Sequence, residues 1–124
     1  MNEWKNKNFF EALKNALNGL KYAIKTQKDL KIQIFIAIIV IIMSILLKIS
    51  KIEMIIITIS IFLVIFAEIM NTAIEKTVDL VTQEYNEIAK IAKDVSAGAV
   101  LVLAINSIII GLYIFGDKII NIIK

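Results

Sequence analysis

The chain has 124 residues, 59% of them hydrophobic, with no Pro, Cys or His and a net charge of +3. Missing Cys and His exclude thiol catalysis, imidazole acid–base chemistry and the usual zinc sites. All 14 basic residues are Lys, which removes the Arg fork for phosphate. So apolar a composition exceeds that of an ordinary soluble domain and points to a small integral membrane protein.

Asn8 to Lys25 reads as an amphipathic helix. Phe9, Phe10, Leu13, Leu17, Leu20 and Ile24 fall on one side; Lys7, Glu11, Lys14, Asn18, Lys21 and Lys25 fall on the other. A Lys-lined face opposite Phe and Leu suits a helix lying in the headgroup layer. Ile32 to Leu47 is a 16-residue run between Lys31 and Lys48. It is shorter than the roughly 20 residues a span prefers, and snorkelling Lys side chains extend it. A second run begins near Ile52 and continues through Ile74. Glu75 to Asp94 is a polar helical stretch or helix–loop, and Val95 to Phe115 is a third apolar run of 21 residues. The expected fold is an all-α integral membrane protein. A single membrane-embedded domain fills residues 1–124, with a surface helix at about 8–28 and spans at about 30–48, 52–75 and 95–116.

Three crossings put the N-terminal region and the Glu75–Asp94 stretch on one side. Those regions hold seven and three Lys, against two each for the Lys48–Glu53 turn and the C-terminal tail. The positive-inside rule assigns the Lys-rich side to the cytoplasm. A cleavable signal peptide is not expected, because the first apolar run starts late and no small-x-small site follows it.

The second run ends in polar residues: Glu68, Asn71, Glu75 and Asp79. At about 100° per residue they point to roughly 0°, −60°, −20° and +20°, one narrow stripe. A charge at membrane depth costs roughly 2.5–3.5 kcal/mol on insertion scales, so an intramembrane carboxylate is a functional residue by default. A second cluster, Ala89-Lys90-Ile91-Ala92-Lys93-Asp94, precedes the third run. If the last two spans form a hairpin, Lys93 and Asp94 return to the level of Glu75 and Asp79. Oxygen ligands for a hard cation such as Mg²⁺, a Lys point charge for phosphate and a carboxylate base are the parts of phosphoryl transfer to a membrane alcohol. No GxxxxGK[ST] loop is present, and Gly19, Gly98, Gly111 and Gly116 form no phosphate cradle. The alternative for the stripe is polar glue between helices of an oligomer. Asn106 and Ser107 read as interhelical contacts, Ser96 to Ala99 as a site of close helix packing, and Trp4 and Tyr22 as interfacial anchors.

The motif Glu68-x-x-Asn71-Thr72-Ala73-Ile74-Glu75-x-x-Val78-Asp79, followed by Ala89-Lys90-x-Ala92-Lys93-Asp94-x-x-Ala97-Gly98-Ala99-Val100-Leu101, resembles the prokaryotic diacylglycerol kinase family. The resemblance extends to Ala16-x-x-Gly19-Leu20, and its wording is most similar to the Gram-positive branch, which phosphorylates undecaprenol in preference to diacylglycerol. It implies a homotrimeric bundle with active sites shared between neighbours, and ATP and Mg²⁺ at the cytoplasmic face of the bacterial plasma membrane. It also implies Glu68 as general base, Glu75 as metal-binding carboxylate, and Asn71, Asp79, Lys93 and Asp94 at the nucleotide. The family's second metal-binding Glu falls on Gln27 here, whose amide oxygen binds Mg²⁺ without contributing charge. On a continuous helix Asp29 would face about 200° away from Gln27 and could not replace it. A basic residue near the N-terminus falls on Lys5 or Lys7.

Two further functions compete with a lipid kinase. A small cation-coupled transporter would use Glu68 as a proton site, although three spans and a Lys–Asp pair beside the carboxylates suit a nucleotide better. A non-catalytic or catalytically weakened member of the kinase family would rest on Gln27 alone.

Overall fold

The computed structural model describes residues 4–124 and contains four helices and no strand among them: α1 (Phe9–Thr26), α2 (Lys28–Leu46), α3 (Lys51–Val81) and α4 (Glu87–Ile123). Strings of Ile are poor helix formers in water. In hydrocarbon, however, every backbone N–H and C=O must be paired within the segment, and a helix is what a single run can form. α2, α3 and α4 are each long and apolar enough to cross a membrane.

Local sequence fixes the ends. Asn8 accepts from the Glu11 N–H at 2.9 Å and Asn86 from the Ala89 N–H at 3.0 Å, each serving as an N-cap. Ser50 and Glu53 form a full capping box: the Glu53 N–H donates to Ser50 Oγ at 3.2 Å and the Ser50 N–H to Glu53 Oε2 at 2.7 Å. α2 closes in a Schellman motif, with the Lys48 N–H bonded to Ile45 O at 3.1 Å and the Ile49 N–H to Ser44 O at 3.2 Å. Lys48 occupies its left-handed position at φ 51°, where Gly is usual.

α3 and α4 form an antiparallel hairpin. Three cross-pairs run in opposite order along the two helices: Glu53 with Lys118 (3.3 Å), Ser60 with Ser107 (2.7 Å between hydroxyls) and Asp79 with Lys93 (2.7 Å). The Ser60–Ser107 bond realises the interhelical contact expected of Ser107. α2 lies antiparallel against α3. Near its C-terminal end Val40, Met43, Leu47 and Ile49 pack on a buried cluster of Ile57, Ile114 and Phe115. Near its N-terminal end Gln33 meets Glu68.

The α3 and α4 helices outrun the apolar runs in their sequence. With 31 and 37 residues they are about 46 and 55 Å long, against an apolar core of about 30 Å. The stretch from Glu75 to Asp94 is mostly helix, interrupted only between Val81 and Glu87. α1 is tied to α3 through Lys76, whose ammonium lies 5.9 Å from the centre of the Tyr22 ring. Its Phe9, Phe10, Leu13 and Leu17 remain exposed, as a helix resting in a headgroup layer requires. Of the Ser96–Ala99 segment, Ser96 is buried within the chain, whereas a Cβ added at Gly98 would meet nothing within 4 Å.

Candidate active site

The stripe forms because α3 stays helical past its apolar part. Glu68, Asn71 and Thr72 are buried, Glu75 and Asp79 half-buried. Glu68 is only 5% exposed, although it is a carboxylate. Gln33 on α2 donates from Nε2 to its Oε2 at 3.1 Å. Thr72 donates back to the Glu68 carbonyl at 2.9 Å, which satisfies a hydroxyl that would otherwise be stranded among apolar groups. One turn further on, Asn71 Nδ2 donates to Glu75 Oε1 at 3.3 Å.

Next along the stripe, Lys93 Nζ of α4 bonds Asp79 Oδ1 at 2.7 Å, both side chains about 40% exposed. The hairpin therefore returns Lys93 to the level of Asp79, as the sequence leads one to expect. Asp94 does not join that pair. It binds Lys90 on its own helix at 2.6 Å, on an exposed face.

Gln27 is not helical. It sits between α1 and α2 with extended backbone (φ −100°, ψ 111°), closing the first helix and opening the second. Its side chain donates to Thr26 Oγ1 at 3.3 Å and makes no hydrogen bond to the stripe. The break also removes the 200° argument against Asp29, since that angle holds only along a continuous helix. Asp29 stands in the first turn of α2, on the same helix face as Gln33 and one turn closer to the polar end of the hairpin.

Two side-chain oxygens at the site, Gln33 Oε1 and Asn71 Oδ1, are buried without a hydrogen-bond partner. Such orphans are costly and call for a partner, whether water, ion or ligand. Beneath Gln33 a groove of about 380 Å³ opens between α2, α3 and α4, lined by apolar side chains with Ser60 and Ser107 at its wall.

A Mg²⁺ ion fits this donor set in one specific sense. The oxygens are hard ligands, and Asn71 Oδ1 beside Glu75 is free to coordinate. Among the described residues no three Asp or Glu side chains are grouped as a cage. That suits a cation held by one or two carboxylates together with substrate phosphates. Gln33 was not anticipated from sequence, although it was detectable as a polar side chain inside an apparently apolar run.

A helical membrane protein with a buried carboxylate, a row of oxygen ligands and a Lys–Asp pair at one end of its hairpin is the architecture of a membrane lipid kinase. The chain belongs to the prokaryotic diacylglycerol kinase family, which matches residues 14–115. It is 41% identical over 110 residues to the undecaprenol kinase of Bacillus subtilis, covering 89% of each chain. It is equally 41% identical over 105 residues to the diacylglycerol kinase of Synechocystis, covering 84% of this chain and 60% of that longer protein. A diacylglycerol kinase of Haemophilus influenzae is 35% identical over 89 residues, 72% of this chain and 75% of that one.

Proposed function

We propose that the protein transfers the γ-phosphoryl group of ATP, with Mg²⁺, to a membrane alcohol, and that the alcohol is undecaprenol. The observation that carries the reading is Glu68: a buried carboxylate, one turn from a row of oxygen ligands and hydrogen-bonded to Gln33, which lines the apolar groove. Glu68 takes the hydroxyl proton of the alcohol as that oxygen bonds to the γ-phosphorus, and the bond from γ-phosphorus to the bridging oxygen breaks to release ADP. Lys93 and Asp79 bind the nucleotide, Lys93 by its point charge, and Asp94, two turns into α4 and paired with Lys90, adds a second acidic group beside them. Glu75 and Asn71 would hold the cation, which would neutralise phosphate charge, and Gln27 would add at most a neutral oxygen. Positioning and charge neutralisation supply most of the rate in this chemistry.

The preference for undecaprenol rests on the Bacillus relative, matched over nearly the full length of both chains. Phosphorylation of diacylglycerol is the second reading, favoured by the Synechocystis and Haemophilus relatives. The site faces the cytoplasm of a bacterial plasma membrane, on the Lys-rich side, and works within a homotrimer whose neighbours complete it. The large exposed apolar faces of α2, α3 and α4 leave room for such partners and for lipid.

The test is transfer of radiolabelled γ-phosphate by the purified protein to undecaprenol and to diacylglycerol, with Gln27→Glu run beside it. Labelled undecaprenyl phosphate is the expected product. Labelled phosphatidic acid alone would replace the acceptor, turnover only in Gln27→Glu would mark a disabled kinase, and no product from either would refute the reading.

A further inference from the structure

Among the described residues, the stripe has one hydrogen bond to α2, from Gln33 to Glu68. Gln33 lies in the first third of α2, half-buried, in a run that is otherwise Ile, Phe, Ala and Val until Met43 and Ser44. A Gln side chain carries several rotatable bonds and a polar head, both unfavourable to order among apolar neighbours unless the head is used. Here half of it is used. Nε2 donates to Glu68 Oε2, and Oε1 is buried with no donor.

We propose that Gln33 is a positioning residue for the phosphoryl transfer. Its amide fixes one oxygen of the Glu68 carboxylate, so that the other is presented to the acceptor hydroxyl. This rests on Glu68 being the base of a lipid kinase. Three observations converge on it. The bond is the contact that sets Glu68 against a second span, since Thr72 engages only its backbone carbonyl. Gln33 also lines the apolar groove, so it stands where an acceptor's hydrocarbon would give way to its hydroxyl. Finally, the bond suits both states of the reaction: once the other oxygen holds the proton, Oε2 is the carbonyl oxygen of the acid and still accepts from Nε2. One side chain thus serves the carboxylate before transfer and the carboxylic acid after it.

The experiment compares Gln33→Met, of similar length and unable to hydrogen-bond, with the unaltered protein in steady-state transfer to the lipid alcohol. The expected result is a fall in kcat of about 10- to 100-fold, the range that misplacement of a reacting group produces, with KM for ATP–Mg²⁺ and for lipid within about twofold. On a Glu68→Gln background the same substitution should cost nothing further, because it acts through that carboxylate. If Gln33→Met does not assemble, Gln33→Asn keeps the amide but is one methylene too short to hold the contact, and the same fall is expected. Full kcat in a well-assembled variant, or an equal additional loss on the Glu68→Gln background, would overturn the proposal while leaving the kinase standing. No transfer by the unaltered protein would overturn both.

Discussion

The α3–α4 hairpin carries a Lys–carboxylate pair at each end, and the two pairs differ in how completely they are used. At the Lys51 end, Glu53 Oε2 receives the Ser50 N–H and lies 3.3 Å from Lys118, while its own N–H is capped by Ser50. The buried cluster of Ile57, Ile114 and Phe115 lies one helical turn away. Every polar group in that set has a partner, and its product is a closed helix end. At the other end, Asp79 and Lys93 are more exposed, and between them and the membrane interior lie a buried carboxylate and two orphan amide oxygens. The same chemistry therefore builds an anchor where it is saturated and a site where it is left short of partners.

The largest effect should come from the stripe. Glu68→Gln removes the proton acceptor with little change in shape and should lower turnover roughly 10²- to 10⁴-fold, read by radiolabelled phosphate transfer. Glu75→Gln should instead raise the Mg²⁺ concentration needed for half-maximal rate. Equal activity in either variant would break the distinction between the two ends. Next, Lys93→Met and Lys118→Met remove the same charge from matched pairs. The first should raise KM for ATP about tenfold, the effect of roughly one lost charge-assisted contact, with the thermal midpoint little altered. The second should lower the midpoint slightly and leave kinetics within about twofold. Reversed outcomes would assign the nucleotide to the wrong end. The smallest effect is at the α2–α3 turn, where Lys48→Gly relieves a left-handed backbone and should stabilise the protein by about 1 kcal/mol, measured by thermal or denaturant unfolding in detergent, with no change in turnover.

Much of this was legible in the sequence. The stripe could be seen because helical periodicity and a burial penalty act together: four polar residues at that spacing on an apolar helix coincide on one face only if the helix continues. The return of Lys93 to the level of Asp79 followed from the hairpin, whereas their ion pair is a finding of the structure. Three features were not legible, for separate physical reasons. The sequence places a boundary between the surface helix and the first span at about 28–30, but the extended backbone at Gln27 itself carries no Gly or Pro to mark it. The left-handed turn at Lys48 likewise lacks its customary Gly. Asp94 prefers the Lys90 ammonium four residues earlier on its own helix, a local pair that competes with any long-range partner. Gln33 was legible in principle. The argument that singled out Glu68, a polar group amid apolar neighbours, applies to it with less force because an amide is cheaper to bury than a charge. Ser44, the other polar residue of that run, resolves differently, by returning its hydroxyl to the Val40 carbonyl at 2.7 Å.

The bond between Gln33 and Glu68 has a consequence for how the gene can change. Substituting one aliphatic residue for another along α2 leaves its ability to cross a bilayer intact. A single-residue insertion or deletion between Gln33 and the α2–α3 turn also leaves hydropathy intact, yet it rotates one part of the helix by about 100° and shifts it by about 1.5 Å relative to the other. Either the amide then leaves the carboxylate or the packing around Met43 and Leu47 loses its registration. Drift in composition is therefore tolerated along this span, whereas changes in length are filtered by the angular phase of one side chain.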